Sequence, residues 1–243
     1  MEISKHLAVR FTGEAFREVE EDVCVEEVFS LYLNDKFIAS LIISPGHVKE
    51  FGAGYVICEG IASNVRDVRV SNGNIYVYAD ALNEFNPELR SSGCIGARST
   101  EIRKVSPGIT VEASDIPLFV RALESDAWRK TGGVHCSALF LNKKLIFSVS
   151  DIGRHSTVDK VVGYAILNNV DLSKCVLACT GRQPKGMIFK VANAGIPVIV
   201  SRAAPTDKGI LAEKDAGITL VCFAMENKFN IYSHAERIRT GGL

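Results

Sequence analysis

Two short runs, CVLAC from Cys175 and IPVIV from Ile196, are apolar at consecutive positions. Consecutive rather than alternating apolar residues describe strands covered on both faces, which is the condition of a parallel sheet with crossover helices above and below it. From Ser156 the order reads TVDKVVGYAIL, CVLACT, MIFKVANAG, IPVIVS, TDKGILAEKDAG and ITLVCFA, helix and strand in alternation. This half of the chain is therefore expected to be a layered α/β unit.

The first third has a different period. Phe29, Leu31 and Leu33 alternate into Asn34-Asp35 and out through Phe37, Ala39 and Leu41; Val68 and Val70 alternate into Asn72-Gly73 and out through Ile75 and Val77. Both are hairpin signatures. Between them Val48, Phe51, Tyr55 and Cys58 recur at helical spacing up to Gly60, so a small antiparallel sheet with one packed helix is predicted. Ala81 to Gly108 has weak periodicity and holds Pro87, Pro107 and RSSGCIGARS, which marks an inter-domain connection with a functional loop. The expected division is a small α+β domain over 1–108 and an α/β domain over 109–243. In the second, Ser114 or Asp115 caps a helix with Pro117 in its first turn and Ile116, Phe119, Leu123 and Ala127 on its apolar face. A hairpin, LFLNKKLIFSV, follows; NKFNIYSHAERI supplies a last strand and RTGGL a frayed tail.

Composition narrows the function classes. The chain has 243 residues, 47% of them hydrophobic, enough to bury a sizeable core. Lys plus Arg equals Asp plus Glu at 28 each, so no net field favours nucleic acid or an anionic membrane, and any anion site must be local. No apolar run approaches the roughly 20 residues of a membrane span, and MEISKHLAVRF carries no signal-like apolar region, so a cytoplasmic location is expected. Seven cysteines, an odd and scattered set, read as reduced thiols. Cys24, Cys58, Cys175, Cys179 and Cys222 sit among Val, Ile, Leu and Ala as small buried hydrophobes.

Ligands of an open parallel sheet bind beyond the carboxyl ends of its strands. That rule selects Thr180-Gly181-Arg182 after CVLAC and Ser201 to Thr206, with Arg202, after IPVIV; both offer hydroxyls and a planar guanidinium suited to phosphate. Loops of this composition also serve simply to turn the chain. DIGRHSTVDK from Asp151 places Arg154 and His155 at a helix entrance, an arrangement for anion binding or proton handling, or else a capped, salt-bridged turn with Asp159 and Lys160 on the surface. In TGGVHC, His135 is either a site group or a hydrogen-bonded core histidine. In RSSGCIGAR, glycines and serines leave Cys94 in a mobile, accessible turn near Arg90 and Arg98, whose charge would favour the thiolate over an ordinary pKa of about 8.5. Such a nucleophile can take up sulfane sulfur as a persulfide and deliver it, or it can be a bystander thiol.

The segments TGGVHCSALF, DIGRHSTVDKVVG, TGRQPKGMIFKVANAGIPVIVSRAAPT and GITLVCFAMENKFNIYSHAERI, with FGAGYVICEG and SSGCIG upstream, resemble the FdhD/NarQ formate dehydrogenase accessory proteins in order and spacing over nearly the whole chain. The resemblance implies a cytidine-deaminase-like C-terminal domain joined to a smaller N-terminal one, and a cytoplasmic homodimer. It implies a sulfurtransferase working between a cysteine desulfurase and the bis-guanine-dinucleotide molybdenum cofactor destined for formate dehydrogenase. By motif position Cys94 matches the family's persulfide cysteine, and Phe223, Ala224, Met225, Glu226, Asn227 and Lys228 match its cofactor-binding segment. Arg182, Arg202 and Thr206 fall where family loops approach that cofactor, with His135 and Arg154 as further candidate contacts. The sequence departs from the pattern at Ala97, which replaces a second loop cysteine, at Glu226 in the segment usually like FARG, and at Pro184 and Gly186. A zinc deaminase needs H-x-E and P-C-x-x-C, whereas His135 is followed by Cys136 and Ser137, and Cys175 and Cys179 are spaced C-x-x-x-C. A cofactor-binding chaperone that moves no sulfur differs from the transferase only at Cys94.

Overall fold

The computed structural model of the chain describes residues 2–82, 87–90, 94–97, 102–106 and 108–240, the strands at 87–90 and 94–97 by backbone alone. The tail at 241–243 lies outside the described residues. The chain opens with an antiparallel ribbon, β1 (Ile3–Phe11) and β2 (Phe16–Cys24), which the sequence reading missed. It contributes no residue to either core; Leu7, Val9, Phe11 and Phe16 are all exposed.

The two expected hairpins form as β3 (Glu27–Leu33) with β4 (Lys36–Ile43) and β5 (Ala62–Ser71) with β6 (Asn74–Ala81). Asn34 and Asp35 at one tip, and Asn72 and Gly73 at the other, are left-handed at both positions. That pair of conformations matches the twist of flanking strands, and Asn, Asp and Gly adopt it readily. The hairpins join through parallel pairing of β3 with β6, so the sheet, ordered β4-β3-β6-β5, is mixed rather than wholly antiparallel. On it packs α1 (Val48–Cys58), ended by Gly60 at φ +70°. A further antiparallel pair, β7 (Pro87–Arg90) and β8 (Cys94–Ala97), follows, with Arg90 directly opposite Cys94 in the backbone register.

Past a short β9 (Val111–Glu112), the single helix expected from Ile116 to Ala127 is two: α2 (Ile116–Arg121) and α3 (Asp126–Thr131). The first ends at Arg121, and Ser125 caps the second, its Oγ accepting from the Trp128 N–H, whereas Asp115 makes no side-chain cap. Then come β10 (His135–Leu141), β11 (Lys144–Asp151), α4 (Arg154–Leu167), β12 (Cys175–Cys179), α5 (Lys185–Ala194), β13 (Val198–Ser201), α6 (Asp207–Ala216) and β14 (Thr219–Cys222). The expected last strand is reduced to β15 (Asn230–Ile231) and β16 (Ile238–Arg239), the latter parallel to β9. The large sheet runs β11-β10-β12-β13-β14-β15, with β12, β13 and β14 parallel as their uninterrupted apolar runs require.

Both faces of those three strands are buried. Leu177, Ile199 and Leu220 belong to one core with α1, α4, α5 and the small sheet; Val176, Ala178, Val198, Val200 and Val221 belong to a second with Phe119 and Phe140. The first core takes residues from both sides of position 108, from Phe29 to Cys222. Its tightest contact is α1 against α4. A Cβ on Gly54 would overlap the carbonyl oxygen of Asp159 and lie 2.7 Å from Gly163 N, and one on Gly163 would overlap the carbonyl oxygen of Glu50. Two glycines thus let two helix backbones touch.

Candidate functional site

The carboxyl edge of β12, β13 and β14 gathers most of the residues singled out in the sequence. Because β10 runs antiparallel to β12, its first residue, His135, lies at that edge, and because β11 runs antiparallel to β10, so does its last, Asp151, the register partner of His135. The loop beyond β11 leads through Gly153 to Arg154 at the entrance of α4, which has no side-chain cap. Beyond β12, Gly181 lies against Arg154, so closely that a Cβ there would meet the arginine's Cβ at 2.9 Å.

The remaining loops are tied to each other by backbone. Gln183 N–H donates to the Ala204 carbonyl (3.0 Å) and Thr206 N–H to the Gln183 carbonyl (3.2 Å), which joins the loops after β12 and β13. Phe223 N–H donates to Ala203 O (3.2 Å) and Ala224 N–H to Ser201 O (3.0 Å), which adds the loop after β14. Arg182 and Arg202 are exposed at the rim, as are Phe223, Met225, Glu226, Asn227 and Lys228, while Ala224 is buried beneath them. Phe223 holds φ at +52°, an uncommon conformation for a bulky residue. Glu226 meets Arg121 at 2.9 Å, an exposed pair. Thr206, expected near a ligand, accepts at Oγ1 from Gly209 N–H (3.1 Å) and so caps α6.

His135 is half-buried and fixed. Its Nδ1 lies 3.2 Å from Thr180 Oγ1, and the same oxygen accepts the Cys136 N–H at 3.0 Å. The Thr180 hydroxyl thus ties the imidazole to the start of β10. Burial lowers the His135 pKa below 6.5 and the nearby Arg154 charge adds to the effect, so the ring is neutral near pH 7. Arg154 Nε and Gln183 Oε1 are buried with no hydrogen-bond partner among the described residues, leaving one donor and one acceptor unused beneath this edge. Gln183 Nε2 donates to Gly181 O (2.7 Å) and to Cys179 Sγ (3.0 Å), so the residue also braces the loop from below.

Asp159 and Lys160 are not surface charges. Lys160 is fully buried and pairs with Asp151 at 2.5 Å; Asp159 is buried and receives two hydrogen bonds from Lys190, at 2.8 and 2.9 Å, which also meets Glu59 at 2.7 Å. Sequence spacing showed the charges and could not show that each had a partner on another element.

The cysteines separate clearly. Cys58, Cys136, Cys175, Cys179 and Cys222 are buried, and burial raises the pKa of each, to about 11 for Cys136 and Cys179 and about 12 for Cys175. Cys24 is half-buried, its Sγ donating to Thr131 Oγ1. Cys94 opens β8 rather than sitting in a turn; its side chain, like those of Arg90 and Arg98, lies outside the described residues.

Known proteins share this architecture. A Methanocaldococcus jannaschii chain named protein FdhD is 34% identical, over 95% of this chain and 96% of its own length. The sulfur carrier protein FdhD of Methanothermobacter thermautotrophicus is 33% identical over 91% and 93% of the two chains. The crystal structure of a Desulfotalea psychrophila protein assigned as a formate dehydrogenase accessory protein superposes with a TM-score of 0.86 at 30% identity, covering 98% of this chain and 99% of that one. The family model for FdhD/NarQ matches residues 24–239, from the last residue of the ribbon to the last strand, and the chain belongs to the FdhD/NarQ family.

Proposed function

We propose that this chain is a sulfur carrier that accepts sulfane sulfur on Cys94 from a cysteine desulfurase and delivers it to the bis-guanine-dinucleotide molybdenum cofactor destined for formate dehydrogenase. The observation that carries the reading is the convergence of five segments on one sheet edge: His135, the loop to Arg154, Thr180 to Gln183, Ser201 to Thr206 and Phe223 to Lys228. Backbone N–H groups, guanidinium groups and the uncapped start of α4 suit an anionic, phosphate-bearing ligand. We read the covered parallel strands as cytidine-deaminase-like layering and the working form as a cytoplasmic homodimer. Relatives named sulfur carrier protein FdhD support the sulfur chemistry.

Loading needs no external oxidant. The Cys94 thiolate attacks the outer sulfur of the donor's persulfide, one S–S bond forms as another breaks, and the donor leaves as a thiolate. Cys58, Cys136, Cys175, Cys179 and Cys222 are buried with raised pKa values, and the Cys24 thiol is engaged with Thr131, so Cys94 is the cysteine suited to this step. Ala97 stands where a resolving thiol would be, so Cys94 acts alone. The test is incubation with a cysteine desulfurase and sulfur-labelled cysteine: label is expected on Cys94 and lost in Cys94→Ala. Equal labelling of the variant would exclude a Cys94 carrier and leave a cofactor-binding chaperone.

A further inference from the structure

Ser44, just beyond β4, gives every polar group it has to the segment around Asp151. Its N–H donates to Asp151 Oδ2 (3.1 Å), its carbonyl accepts from Lys160 Nζ (2.8 Å) and its Oγ accepts from Ile152 N–H (3.3 Å). Lys160 Nζ also donates to Asp151 Oδ2 (2.5 Å), and Asp151 Oδ1 accepts from Gly153 N–H (2.8 Å). All three side chains are wholly buried. Desolvation offsets most of the attraction in such a pair, so its contribution lies in fixing geometry more than in net stability. Its position is specific. Asp151 is the register partner of His135 and precedes Gly153-Arg154, while β4 runs beside β8, the strand that Cys94 opens.

We propose that Ser44, Asp151 and Lys160 form a positioning lock for sulfur delivery. The lock holds the crevice loop at 151–154 in register with β4, and through β4 with the Cys94 strand. The inference rests on the sulfur-carrier reading and adds that loading and delivery are separable. A donor protein reaches Cys94 without the crevice; delivery needs cysteine and crevice at a set separation.

Lys160→Met alone would strand the Asp151 carboxylate, so the main variant is the neutral pair Asp151→Asn with Lys160→Met. Ser44→Ala, which deletes one hydrogen bond, and Lys160→Arg are the mild companions. Each is scored for label on Cys94 from a desulfurase, for guanosine diphosphate binding by calorimetry, and for formate dehydrogenase activity on co-production. The expected result is loading as in the parent, with delivery reduced roughly ten- to a hundredfold in the double variant, the scale of an ångström-sized misplacement, and by more than any weakening of nucleotide binding. Ser44→Ala should show a smaller loss in the same ratio. Parent-like delivery by the double variant, or loading and delivery falling together in a folded protein, overturns the proposal. If the double variant does not fold, an unchanged delivery-to-loading ratio in both Ser44→Ala and Lys160→Arg overturns it. Loss of the carrier reading itself is seen separately, as undiminished labelling in Cys94→Ala.

Discussion

Glu213 on α6 is wholly buried, and neither of its carboxylate oxygens has a hydrogen-bond partner among the described residues. The neighbouring Ser233 hydroxyl already donates to the Ile218 carbonyl at 2.7 Å. Burial therefore raises the carboxyl from its ordinary 4.5 to about 8, with Ser233 and Lys214 drawing it only part of the way back. The native state keeps a proton that the unfolded chain releases above pH 4.5, so stability is fully present below that value and is lost as pH rises to about 8. At 1.36 kcal/mol per pH unit, the loss reaches about 5 kcal/mol above pH 8 and about 3 kcal/mol at pH 7. Glu213→Gln keeps the shape and abolishes the titration. Urea denaturation of both proteins at about pH 5, 7 and 9 should show near-equal stability at the lowest pH and a gap of a few kcal/mol in favour of the variant at the highest. Parallel pH dependence in the two proteins would refute the assignment of a neutral, unpaired Glu213.

Three further outcomes follow from geometry described above. Gly54→Ala and Gly163→Ala should each lower thermal stability, by about 2 kcal/mol or more, because the added methyl overlaps a backbone carbonyl of the opposite helix; an unchanged melting temperature in both would refute the close crossing. His135 should titrate below 6.5, as read by imidazole nitrogen chemical shifts. Thr180→Val should shift those resonances, since it removes the hydroxyl that lies against Nδ1.

The sheet was legible because burial on both faces leaves a mark in the sequence: CVLAC and IPVIV became β12 and β13, and the Asn-Asp and Asn-Gly tips became left-handed turns. The ribbon at Ile3–Cys24 was missed because it buries almost nothing and so is not marked by a covered face. Ile116, Phe119, Leu123 and Ala127 keep helical spacing across the break between Arg121 and Asp126, where the first helix stops at its Ala122 C-cap and Ser125 caps a second, so spacing alone reads the two as one. Of the site, the strand-end rule placed the loops, but it could not distinguish Thr206, which caps a helix, from Thr180, which fixes a histidine. Asp159 and Lys160 resisted for a related reason. Adjacent opposite charges on a helix look like a solvated pair until the third dimension shows each turned inward to a different partner.

The bare crossing of α1 over α4 means that the first and second halves of the chain are joined through one interior and not only by the connecting peptide. Produced as two polypeptides divided within 83–101, the pieces should find one another and reconstitute the whole, as complementing fragments do. Neither should persist alone, since each would expose to water the half of a shared interior that the other was built to cover.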